Sequence, residues 1–152
     1  GDFHLGQVLF TGEGFTFIDF EGEPERSLGE RRLKKSPLRD VSGMLRSFHY
    51  AAHKALLNEV AAGVFREDAT TRLQQRIHFW QCCVSASYLS AYLETAGNAD
   101  FCPQSREELR TLLRVFLLEK AMYELGYELN NRPEWLRVPL TGIRELVSGD
   151  GL

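Results

Sequence analysis

The sequence predicts a mainly α-helical domain opened by one short β-hairpin. Two short β-branched and aromatic runs, separated by turn glycines, fall within the first 20 residues. Three long segments then repeat apolar residues every three or four positions, with Ser or Gly residues at their ends.

In the hairpin, Val8-Leu9-Phe10 and Phe15-Thr16-Phe17-Ile18 are the strand runs, and Gly12-Glu13-Gly14 supplies the turn. An irregular charged stretch follows over about 22–35, punctuated by Pro24 and Gly29. Ser36-Pro37 then reads as a helix start, because a Ser hydroxyl accepts an orphan N–H and Pro is at home in the first turn. Val41, Leu45, Phe48, Ala52, Leu56 and Val60 form the apolar stripe of that first helix. A second helix is expected over about 68–96, from Asp68, with Leu73, Ile77, Trp80, Val84, Tyr88 and Tyr92 on its stripe and Gly97-Asn98 as its stop. A third, capped by Ser105 with Glu107 and Glu108 in its first turn, runs to about Asn130. Pro133 and Pro139 bracket a short segment, after which 140–147 form a last helical turn or two.

A chain of 152 residues is long enough for one domain with a core, and 43% hydrophobic with 26% charged residues excludes a disordered or collagen-like chain. A net charge of −3 provides no general attraction to nucleic acid or anionic membrane. The basic run Arg31-Arg32-Leu33-Lys34-Lys35 follows Glu21, Glu23, Glu25 and Glu30, so it reads as a solvated mixed-charge loop. No apolar run approaches the roughly 18–20 residues of a membrane span, and no secretion leader is seen, which points to the cytoplasm. The opening Gly1-Asp2 looks like the interior of a longer protein. Cys82, Cys83 and Cys102 have no metal-site spacing and are expected as free, largely buried thiols in a reducing compartment.

The residues also suggest a chemistry. Phosphoryl transfer needs a carboxylate to orient and deprotonate the acceptor hydroxyl, and hard oxygen ligands for Mg²⁺ on the nucleotide phosphates. Asp2 and Gln7 are five positions apart, and Asp19 follows Gln7 by twelve, with the hairpin between them. Out along one strand and back along the other, the chain returns Asp19 beside Gln7. Spacing alone leaves a plainer reading open, in which Asp2 is a terminal residue, Gln7 a loop residue and Asp19 a strand-end cap. His4 and Glu21 are secondary candidates: His4 for phosphate, acceptor or loop packing, Glu21 for a second metal, a water or nothing beyond loop charge. Arg39 and Asp40 open the first helix, either orienting this loop or forming a surface charge pair. The third helix carries Leu109, Leu113, Phe116, Lys120, Tyr123 and Tyr127 along one face. A stripe that turns polar and aromatic suggests emergence at a cleft, where Tyr rings suit a sugar; half-buried core tyrosines are the alternative.

Four blocks resemble the maltokinase family, sugar 1-kinases related to the aminoglycoside phosphotransferases. They are Gly1-Asp2-Phe3-His4-Leu5-Gly6-Gln7-Val8-Leu9, Ile18-Asp19-Phe20-Glu21-Gly22-Glu23-Pro24, the run from Lys35 to Phe48, and the run from Tyr123 to Pro133. They stand in the family's order and leave out mainly the variable stretch over about 67–105. The His that precedes this loop in the family has no counterpart here, nor does the nucleotide-binding lobe with its phosphate-covering loop and Lys.

The resemblance implies the helical C-lobe of a protein-kinase-like fold. Residues 1–35 would be catalytic loop, hairpin and metal segment, and 36–152 a helical subdomain. It implies ATP and Mg²⁺ as cofactors and transfer to the anomeric hydroxyl of maltose, giving maltose 1-phosphate. Asp2 would be the catalytic base, Gln7 and Asp19 the metal ligands, and Tyr123, Glu124, Tyr127 and Arg132 the residues nearest the sugar. Expected partners are the sugar acceptor, the missing N-terminal lobe and a fused or complexed trehalose synthase. The chain alone is expected to fold without turning over ATP. The alternative is a non-catalytic helical module of kinase ancestry that docks a trehalose synthase.

Overall fold

A computed structural model describes residues 2–23, 27–61, 63 and 70–149. Gly1 of the loop motif, Pro24 and Glu25 of the charged stretch, the expected helix start at Asp68 and the side chain of Val60 lie outside the described residues. The described chain is mainly helical with a two-stranded antiparallel hairpin.

A single 3₁₀ turn, Leu5–Gln7, leads into β1 (Val8–Phe10), which pairs with β2 (Phe15–Phe17) in the register Val8 to Phe17, Leu9 to Thr16 and Phe10 to Phe15. Gly12 takes φ 94° at the turn, a conformation open to glycine at no steric cost. Thr11 closes the turn, its N–H donating to the Gly14 carbonyl and its hydroxyl accepting from the Gly14 N–H.

The charged stretch is more ordered than expected. Leu28–Arg32 form a short helix, α1, held by a capping box in which Ser27 and Glu30 satisfy each other's backbone N–H groups. With five residues and no apolar stripe, it leaves no periodic trace in the sequence.

Three long helices follow: α2 (Leu38–Ala61), α3 (Thr70–Ala96) and α4 (Arg106–Asn131). At the start of α2 the Ser36 hydroxyl accepts from the Leu38 N–H, as the Ser-Pro pair implies. Gly97 stops α3 at φ 55°, and Ser105 caps α4 through the Glu108 N–H. A 3₁₀ turn, Pro133–Trp135, leads to α5 (Arg137–Ser148). Pro139 therefore does not close a separate segment ahead of the last helix but lies in that helix's first turn. The N–H that proline lacks would have no intrahelical partner there.

The chain divides into two compact units, 1–47 with 100–152, and 48–99. In the first, Leu38, Val41, Met44 and Leu45 of α2, Leu113, Leu117 and Ala121 of α4, and Val138 of α5 make the buried core. α5 packs along α4. In the second, Phe48, Ala52 and Leu56 are buried, and Phe48 meets Tyr88 edge-on with ring centroids 5.7 Å apart. The half-buried face of α3 runs through Ile77, Gln81, Val84 and Tyr88. Trp80 is off that face and 47% exposed, contrary to its expected place on the stripe. The same geometry corrects the thiols: all are free, but Cys82 and Cys83 are exposed and Cys102 half-buried. No described helix is long and apolar enough to cross a membrane.

Candidate functional site

The loop that carries Asp2 is anchored on both sides. The His4 ring nitrogen Nδ1 accepts from the Gly6 N–H at 3.1 Å, so His4 shapes the loop from within. The Leu5 N–H donates to the Ser47 hydroxyl on α2 at 2.9 Å. Phe3 meets Phe17 edge-on, with ring centroids 5.5 Å apart, which joins the loop to β2. Gly43 lets α2 come in close: a Cβ there would stand 2.6 Å from the Phe3 carbonyl oxygen.

The hairpin returns the backbone at Asp19 to the neighbourhood of Gln7, as their spacing implies. Past the last strand pair, the Ile18 N–H donates to the Gln7 carbonyl at 3.0 Å, so Asp19 is the next residue out on the return strand. Gln7 is buried and Asp19 exposed. Asp19 has φ 61°, the only non-glycine left-handed residue among those described. Asp tolerates this region better than most residues, and such outliers concentrate at functional sites. The two side chains offer an amide and a carboxylate oxygen, the hard donors Mg²⁺ takes.

Asp2 faces α4. Lys120 donates to Asp2 Oδ1 at 2.7 Å and to Glu23 Oε1 at 2.8 Å, and its ammonium stands 4.8 Å from the Tyr123 ring centroid. Glu23 is only 3% exposed. Burial pulls the Lys120 ammonium down, but the hydrogen bonds and charges of Asp2 and Glu23 more than reverse this and leave it above its ordinary value. A small hollow beside this ion triad is lined by Asp2, Phe3, Glu23, Lys120 and Tyr123, and by Arg39 and Glu119, which pair at 3.1 Å.

Glu21, Glu124, Tyr127 and Arg132 do not line this hollow. Glu21 is exposed and pairs with Arg31 at 3.7 Å. Glu124 is held by Arg46, whose Nε and Nη2 reach its Oε2 at 2.9 and 2.6 Å. Burial pushes the Glu124 carboxyl above the usual carboxylate value, and the Arg46 guanidinium opposes that shift. The Arg46 guanidinium lies against Gly142 of α5, where any Cβ would collide with it. Tyr127 sits farther along α4, and Arg132 stands just past its C-terminal end. Arg132 grips the buried Glu128 with two 2.9 Å bonds, and its guanidinium lies 5.2 Å from the Tyr127 ring and 4.6 Å from Trp135.

Glu23, Arg46, Glu128 and Trp135 were not singled out from sequence, and Lys120 was read only as part of a stripe. A signal existed for two of them. A lysine on an apolar helical face needs a buried anionic partner, and Glu128 four residues before Arg132 is an i,i+4 pair.

No family model matches the chain. It is similar to the glucosamine kinase of Streptacidiphilus jiangxiensis, 26% identical over 147 residues that make up 97% of this chain and 31% of that protein. It is also similar to the glucosamine kinase of Mycolicibacterium smegmatis, 29% identical over 140 residues, 91% of this chain and 31% of that protein. A solved structure of a glucosamine kinase matches with a TM-score of 0.74 at 23% identity, covering 99% of this chain and 33% of that one. The chain thus spans about a third of the length of the curated relatives it matches. The similarity is to sugar kinases, and none of these three relatives is named a maltokinase.

Proposed function

We propose that this chain is the acceptor-side catalytic part of an ATP-dependent sugar kinase. The observation that supports this most is the backbone bond from Ile18 to Gln7, which carries the hairpin ladder up to the residue before Asp19, on a hairpin whose Phe17 touches the Asp2 loop. Similarity to two glucosamine kinases, over 97% and 91% of this chain and 31% of each of theirs, supports it. On this reading 1–35 serve as catalytic loop and metal segment, 36–152 as helical subdomain, and a separate lobe holds the nucleotide.

Asp2 is the base. Its Oδ1 is engaged by Lys120, which leaves Oδ2 to accept the acceptor hydroxyl's proton as the hydroxyl oxygen attacks the γ-phosphorus and ADP leaves. Gln7 and Asp19 are the residues that would hold Mg²⁺, which would neutralise charge on the nucleotide phosphates. Tyr123 and Tyr127 of α4, with Arg132 just past its end, present aromatic and guanidinium surfaces to the sugar, and Glu124 braces this region through Arg46. His4 shapes the catalytic loop.

The acceptor favoured by the named relatives is glucosamine. Maltose, with maltose 1-phosphate as product and trehalose synthase as partner, is the second reading, supported by the four sequence blocks. The test is ATP consumption by the full-length enzyme against glucosamine, maltose and glucose. Glucosamine-dependent turnover supports the first reading and maltose-dependent turnover the second. No sugar-dependent turnover would reject both in favour of a non-catalytic module.

A further inference from the structure

We infer that Lys120 is a positioning residue for the base, fixing the Asp2 carboxylate by bridging it to Glu23; this rests on Asp2 being the base. The Lys120 side chain is itself tied at several points. Its ammonium donates to Asp2 and Glu23 within 2.8 Å and stands over the Tyr123 ring. An ammonium has three donors on a flexible stem, so a lysine held this way loses the freedom that would let its partner wander.

Glu23 is what makes the arrangement specific. At 3% exposure, its carboxylate needs a paired cation, and Lys120 supplies it. Through that one ammonium, α4 joins the loop before β1 to the segment after β2. Asp2 Oδ1 is held at a fixed point while the second oxygen is left for the acceptor. The interaction would act on the orientation of the base and not on the binding of either substrate, so its loss should fall on kcat.

The test uses the full-length enzyme with ATP and whichever of glucosamine and maltose supports turnover. Lys120→Met should lower kcat about 10²-fold, the cost of misplacing a reacting group by about 1 Å. Both KM values should stay within about threefold of wild type. Lys120→Arg, which keeps a cation for both carboxylates, should recover at least about tenfold of the loss. In an Asp2→Asn background, Lys120→Met should change kcat by less than about twofold, because no base remains to be positioned. An unchanged kcat, a raised acceptor KM in place of the kcat loss, no recovery by Lys120→Arg, or an equal further loss in the Asp2→Asn background would overturn the inference. If Lys120→Met does not fold, Lys120→Gln takes its place in the cycle. Failure of both to fold would make Lys120 structural and also overturn it. Activity retained in Asp2→Asn alone would instead reject the assignment of the base.

Discussion

At the residue scale, Asp19 combines a proposed metal-binding role with a backbone cost. Its φ of 61° is one that Asp and Asn accept where most side chains do not. Asp19→Asn should therefore fold normally while losing a charged ligand. In the full-length enzyme it should weaken Mg²⁺-dependent nucleotide binding and lower the rate, as read by nucleotide titration with and without Mg²⁺. Wild-type binding at limiting Mg²⁺ would count against Asp19 as a ligand. Lys120 gives a second prediction, with its sign set by its raised pKa. A lysine raised in the fold contributes its full stability below the unfolded value of about 10.4 and loses it only as pH rises through the higher folded value. The gap in unfolding free energy between wild type and Lys120→Gln should be constant from pH 6 to about 9 and shrink above about 10.4. Urea denaturation across that range measures it, and a gap that shrinks toward acid would contradict the assignment.

At the element scale, what could be read from sequence was what repeats or caps locally. β1 and β2 announce themselves by β-branched and aromatic runs around turn glycines, and the long helices by three-and-four spacing and by Ser36, Gly97 and Ser105 at their ends. α1 did not, because a helix this short has no stripe to display, and Pro139 pointed the wrong way because it is tolerated in a first turn. The approach of Gln7 to Asp19 follows from hairpin geometry alone. Lys120 with Glu23, and Arg46 with Glu124, are separated by 97 and 78 positions, and pairing at that range leaves no local pattern.

Packing between elements yields a prediction at Gly43. Alanine there should gain about 1 kcal/mol of helix propensity. Its Cβ would stand 2.6 Å from the Phe3 carbonyl, so the net effect should be a loss of about 1–3 kcal/mol, seen by denaturation. A stabilised Gly43→Ala would mean that the loop does not press on α2. Farther along α4, Tyr127 is 38% exposed beside Arg132. Tyr127→Ala should raise the acceptor KM by an amount equivalent to about 1–3 kcal/mol and leave the ATP KM nearly unchanged. An unaltered acceptor KM would return Tyr127 to a purely structural role.

At the scale of the whole molecule, the loop, the hairpin and α4 converge on one carboxylate. Asp2 is held from α4 by Lys120 and adjoined by Phe3, which contacts both β2 and α2. The similarity to glucosamine kinases extends over almost all of this chain and about a third of theirs. The central claim is therefore local to Asp2 and is measured in the full-length enzyme. The most direct measurement is single-turnover transfer of the γ-phosphoryl group of ATP to the acceptor sugar, wild type against Asp2→Asn. The account predicts that transfer slows by about 10²-fold or more, within the range removal of a general base produces, while both substrates still bind. Transfer by Asp2→Asn at the wild-type rate would contradict it.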